Sequence, residues 1–137
     1  MVNAGRITET MGMTNANSIC NIEHQEDLVI LTPTVNLREL EYEDFEAAIA
    51  PTLKMLEGGS VRHVVVDFGH SDYFGSHTIT SLLKLGKQTR TAGGRMAFAR
   101  MSLREREILE ATALDTFWPV YSSREEATAA VRTSRTK

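Results

Sequence analysis

The chain has 137 residues, 42% of them hydrophobic, and a formal net charge of -3, the size and composition of one well-filled domain with no room for a second. Its basic residues, Arg90, Arg95, Arg100, Arg104 and Arg106 among them, are interspersed with acidic ones and make no one-signed stripe of the kind that binds a phosphate backbone. Cys20 is the only cysteine, which excludes an internal disulfide and a thiolate zinc cage, and the apolar runs are far short of the roughly 20 residues of a membrane helix. With an opening MVNAGRITETMGMTN that lacks a signal peptide's apolar stretch, these features predict a reducing, cytoplasmic setting and neither nucleic acid nor membrane as partner.

Residues 1–17 and 133–137 are polar and aperiodic and read as mobile tails around a domain spanning 18–132. SICNIEH and LVILT, separated by the turn-like QED, predict a hairpin that Pro33 ends. EYEDFEAAIAPTLKMLEGG changes to a helical period, with Phe45, Ala48, Ile49, Leu53 and Leu56 on one side, Gly58-Gly59 closing it and Pro51 expected to kink or split it. RHVVVDF is an uninterrupted β-branched run, the pattern of a strand buried on both faces of a mostly parallel sheet.

A second helix is predicted from Ser76, with Ile79, Leu82, Leu83 and Gly86 on its apolar face and Ala92-Gly93-Gly94 at its end. A glycine on that face implies close backbone approach to the sheet. RMAFA then reads as a strand, SLREREILEAT as a helix, FWPVY as an edge strand because of Pro119, and SSREEATAAV as a closing helix. The pair Phe117 and Trp118 reads as core or half-buried edge, with an exposed docking anchor as the alternative. The order is ββαβαβαβα, which implies an α/β fold whose sheet is parallel beyond the opening hairpin.

Three helix starts differ in one respect. Ser102 with Glu105, and Ser123 with Glu126, match the S-x-x-E capping box, in which side chains satisfy the first amides and the acid faces the positive end of the helix dipole. Ser76 is followed by His77, Thr78, Ile79 and Thr80 with no acid, so that terminus is open to solvent or an external anion. It also follows the central strand, where open α/β sheets place their working surface. The alternative is that Ser76 serves only as an N-cap.

The stretches VVVDFGHSDYFGSHTITSLLKLGKQTRTAGGRMAFARMS and LEATALDTFWPVYSSREEATAAV, with the opening hairpin, resemble the STAS domain family, the anti-sigma-factor antagonists of bacterial partner-switching systems. The resemblance implies a single domain with a five-stranded mixed sheet and about four helices, packed mainly on one side. It also implies a non-enzymatic regulatory switch that needs no cofactor and binds an anti-sigma factor that is also a serine kinase, with a phosphatase as a further partner. The family carries a D-S-S-G-like motif whose first serine is phosphorylated. Ser76 falls on that serine, while Gly75 replaces the Asp, His77 the second Ser and Thr78 the Gly. Ser76 is therefore the candidate phosphoacceptor and Thr78 the second candidate. The partner surface is expected over His70, Asp72, Gly75, Ser76, His77 and Thr78, continuing along the helix through Thr80, Lys84, Lys87 and Gln88. A STAS scaffold that binds protein or small ligand without phosphorylation is the alternative.

Other chemistry has less support. Ser76, His77 and Asp67 or Asp72 contain the residue types of a hydrolase triad, but neighbours at a helix start diverge and no G-x-S-x-G elbow is present. His63, His70 and His77 recur every seven residues, yet they fall on a strand, a loop and a helix, so no metal site is expected.

Overall fold

In the computed structural model, which describes residues 19–35, 37 and 42–133, β1 (Cys20–Gln25) and β2 (Leu28–Pro33) form the predicted hairpin, with Cys20 opposite Pro33 and Gln25 opposite Leu28. The two-residue turn places Glu26 at φ 56, in the left-handed region that lets a short turn reverse the chain. There follow α1 (Tyr42–Gly58), β3 (His63–Asp67), α2 (Ser76–Thr91), β4 (Met96–Ala99), α3 (Leu103–Ala111), β5 (Val120–Tyr121) and α4 (Arg124–Thr133). The strands lie in the order β1-β2-β3-β4-β5, and every pairing after the hairpin is parallel. All five residues of β3 are buried, as a continuous apolar run in mid-sheet requires.

Strand alternation divides the core in two. Val29, Leu31, Val64, Val66 and Phe98 face the side covered by α1, α2 and α3, where Phe45, Ile49, Leu82, Leu85 and Leu109 meet them. Leu28, Ile30, Val65, Ala97 and Ala99 face Ala127 and Val131 of α4. Three helices on one face and one on the other agrees with the expected packing of about four helices mainly on one side. Small Ala97 and Ala99 suit the side where a single short helix approaches.

Several details differ from the sequence reading. Helix α1 runs unbroken through Pro51, which is exposed together with Ala47, so the carbonyl that loses its amide partner lies on the wet side. The buried face of α2 is Thr78, Ser81, Leu82, Leu85 and Thr89, and Leu83 is 45% exposed. Gly86 makes room for an indole, not for sheet backbone: a Cβ there would meet the Trp118 ring. That ring is buried beside Phe98, with centroids 5.6 Å apart, while its neighbour Phe117 is 62% exposed. The edge strand β5 is only two residues long. The tails predicted over 1–17 and 133–137 lie outside the described residues, except that Thr133 still belongs to α4.

Candidate functional site

The loop from Phe68 to Gly75 leaves the C-terminal end of β3 and delivers the chain to α2. Its apolar members anchor it: Phe68 and Phe74 are fully buried, with ring centroids 5.5 Å apart. Its polar members are bonded as well. Ser71 Oγ donates to the Tyr73 carbonyl at 3.2 Å and accepts from the Leu37 amide at 3.2 Å. Ser102 Oγ, at the start of α3, donates to the Asp72 carbonyl at 2.8 Å, and the Arg104 guanidinium sits 5.3 Å from the Tyr73 ring centre. The loop is thus held on both sides before it reaches Gly75.

Helix α2 starts bare. Its N-cap is Gly75, which offers no side-chain cap, and its first turn has no acid. Ser76 is the first helical residue, one position later than the cap role considered from sequence, and it is exposed. Its carbonyl accepts from Thr80 Oγ1 at 3.2 Å. Helix α3 starts closed, with the Glu105 amide donating to Ser102 Oγ at 3.1 Å and the Ser102 amide donating to Glu105 Oε1 at 2.9 Å. At α4 the box is redrawn: the Glu126 amide donates to Ser123 Oγ, but the Glu126 carboxylate accepts from the amide and hydroxyl of Ser122.

Glu105 is fully buried, and its Oε2 has no hydrogen-bond partner. Burial pushes its carboxyl above the usual glutamate range, against the pull of Ser102 and Ser71.

The predicted surface residues separate by geometry. His70, Asp72, Ser76, His77, Thr80, Lys84 and Lys87 are exposed, and Gly75 and Gln88 are half-buried. Ser76, Thr80, Leu83, Lys84 and Lys87 follow one another along the solvent side of α2 at helical spacing. Lys84 Nζ pairs with Glu46 Oε1 of α1 at 2.8 Å. Thr78 is a correction: it is 4% exposed and belongs to the buried face, so its hydroxyl is out of reach of a visiting enzyme or partner. The sequence reading also missed Leu83, whose position midway between Thr80 and Lys87 places it in the exposed stripe.

Asp67 belongs to a different assembly. It is two residues on from Val65 in β3 and therefore shares the α4 face, away from α2. Its carboxylate accepts from Arg100 at 2.9 and 3.0 Å, from Arg124 at 3.1 Å and from the Gly69 amide at 3.0 Å. Arg124 also donates to Glu23 and Thr32. Burial alone would raise the Asp67 pKa, but these donors outweigh it and hold the carboxyl below the usual aspartate range. Asp67 is thus committed to structure and orients no histidine. His63 is at the other end of β3, its Nδ1 accepting from the Arg95 amide at 3.1 Å. Among the described residues no three His, Cys, Asp or Glu side chains gather as a metal set. No described helix is long and apolar enough to cross a membrane.

Residues 20–127 match the family model described as the STAS domain. BtrV of Bordetella bronchiseptica, a protein named for an anti-sigma factor antagonist role, is 33% identical over 92 residues, 67% of this chain and 76% of its own. An anti-sigma-factor antagonist (STAS) domain protein from Planctomyces limnophilus is 26% identical, with a TM-score of 0.71 over 83% of this chain and 98% of that one. The anti-sigma factor antagonist SpoIIAA, solved unphosphorylated, has a TM-score of 0.69 at 18% identity, over 82% of this chain and 96% of its own. The Bacillus SpoIIAA solved in the phosphorylated form has 0.64, also at 18% identity, over 82% of this chain and 99% of its own.

Proposed function

The chain belongs to the STAS domain family, and on that premise we propose that it is an anti-sigma-factor antagonist, a cytoplasmic binding protein without enzymatic activity whose hold on its partner is controlled by phosphorylation of Ser76. The partner is an anti-sigma factor with serine-kinase activity. It docks on the exposed loop around His70 and Asp72 and on the stripe from Ser76 and His77 through Thr80 to Lys84 and Lys87, and a phosphatase reverses the modification.

One observation carries this reading: Ser76 is exposed at a helix start that the protein leaves without a side-chain cap or an acid. A phosphoryl group there adds about -1.5 to -2 charges at the positive end of a helix dipole, which favours an anion, so the domain keeps its fold. The partner bears the cost. A surface fitted to a neutral hydroxyl has to desolvate a dianion, and the complex dissociates without either protein changing shape. The phosphorylated and unphosphorylated forms of SpoIIAA both superimpose on this fold, which supports a modification that spares the scaffold.

A second reading, a STAS scaffold that binds without being phosphorylated, draws on Gly75, His77 and Thr78, which depart from the family's motif. Co-purification from the native host decides between the two. A switch predicts that Ser76→Ala retains a kinase-like partner and Ser76→Asp releases it; equal retention by both variants removes Ser76 from the mechanism.

A further inference from the structure

The two edges of the sheet are finished differently. At one, β5 has two residues and Pro119, which has no amide hydrogen, stands just before it. At the other, β1 is six residues long, CNIEHQ, with neither proline nor lysine to blunt it, and among the described residues no strand lies beyond it. Gln25 and Leu28 flank the two-residue turn and exchange backbone bonds as such a turn requires, and at the far end of the hairpin the Thr34 amide donates to the Ile19 carbonyl at 2.8 Å. Asn21 and Glu23 share that phase and face β2, so the amides and carbonyls of Cys20, Ile22 and His24 point outward from the sheet. Ile22, 36% exposed, is at the middle of that row, and the strand's one acid is drawn aside, the Glu23 carboxylate accepting from Arg124 at 2.7 Å.

We propose that β1 pairs antiparallel with β1 of a second copy about a two-fold axis at Ile22, joining two sheets into one. Ile22 then meets Ile22, Cys20 meets His24 and Asn21 meets Glu23, each on the opposite copy. The axis passes through an outward-facing pair, so every outward amide faces an outward carbonyl. Axes at Cys20 or His24 keep the phase but leave part of the row unpaired, and Ile22 is the one centre that uses all of it. The same register buries an exposed apolar side chain against itself, sets the Asn21 amide group opposite the Glu23 carboxylate and opposes no like charges. A strand pair is small beside the roughly 800 Å² per partner of a standard interface, which makes this association weak and concentration-dependent.

Strand β2 lies between β1 and the strand that leads to Ser76, so this contact does not rest on the phosphorylation reading. The test follows the ¹⁵N-labelled full chain by sedimentation and amide exchange, from dilute solution to the millimolar range of an NMR sample. The expected result is a mass that rises from one chain toward two, with exchange at the Ile22 and His24 amides slowing over the same range. Ile22→Pro removes only an outward donor and leaves the hairpin ladder intact, and Ile22→Lys sets like charges across the axis; each should weaken the dimer by roughly tenfold. Ser76→Ala and Ser76→Asp should leave it unchanged, and an unaltered spectrum over β2 and β3 verifies folding of every variant. A wild-type chain that stays single at millimolar concentration overturns the proposal, as does a dimer that neither Ile22 variant weakens. Protection of the two amides that is the same at every concentration would assign the edge to another part of the same chain and overturns it equally.

Discussion

The end of β3 is finished in two ways on the two faces of the sheet. On the α4 face Asp67 has a donor on each oxygen, and Arg124 ties it onward to Glu23 and Thr32, so that β1, β2, β3, α4 and the residue that follows β4 share one charged junction. On the opposite face the following loop presents Ser76 at a bare helix start, and the buried Glu105 in the first turn of α3 leaves Oε2 without a partner. The first end has both carboxylate oxygens bonded, and the second leaves a helix start open. The switch proposed above needs both: a rigid frame, and beside it an open helix start that accepts an added anion.

Breaking the closed side gives the largest effect. Asp67→Asn leaves two arginines facing a neutral group and is expected to cost about 3 kcal/mol in urea unfolding at neutral pH, at the low end for a buried pair because Arg100 is 45% exposed. The sign with pH is fixed. A carboxyl held below its unfolded pKa contributes fully above that value and loses its contribution as pH falls through the folded one, so the gap between wild type and variant should close in acid.

Loosening the open side costs less. Ser102→Ala removes a cap and the bond to the Asp72 carbonyl, and is expected to cost about 1 kcal/mol with faster amide exchange from Asp72 to Phe74. Ser76→Ala, which removes no cap, should change stability by no more than about 0.5 kcal/mol. A comparable loss in both variants would contradict the contrast between the two helix starts.

Completing the open side should stabilise it. Glu105→Gln keeps an acceptor for the Ser102 amide and removes a buried charge with an unpartnered oxygen, for a gain of about 1 kcal/mol at neutral pH. Here the folded pKa is raised, so the wild-type penalty is full above it and fades as pH falls toward the unfolded value; the gain should vanish in acid. Gly75→Asp supplies the missing cap at an extended backbone position where an added Cβ meets nothing within 4 Å. About 0.5 kcal/mol of stabilisation in thermal or urea unfolding is the expected outcome.

Element order was legible in the sequence because each period is local: VVVDF can only be a doubly buried strand, and the two S-x-x-E starts announce their helices. The exposed serine was legible for the same reason, since the missing acid lies within one turn. What escaped depends on partners distant in the chain. Ser81 and Thr89 can occupy the buried face of α2 because their hydroxyls bond Glu46 and the Leu85 carbonyl; read as polar, they shifted the apparent apolar face onto Leu83. Gly86 was recognised as a close approach, but the indole that fills it comes from Trp118 near the other edge of the fold. The Asp67 junction spans 33 and 57 residues to its two arginines, and no local pattern signals it.

Mapping phosphate on the full-length protein recovered from its native host tests the central claim most directly. The account predicts occupancy on Ser76, with Thr78 and Ser81, both buried, unmodified. Phosphate carried on another residue and never on Ser76 while its kinase is active would contradict it.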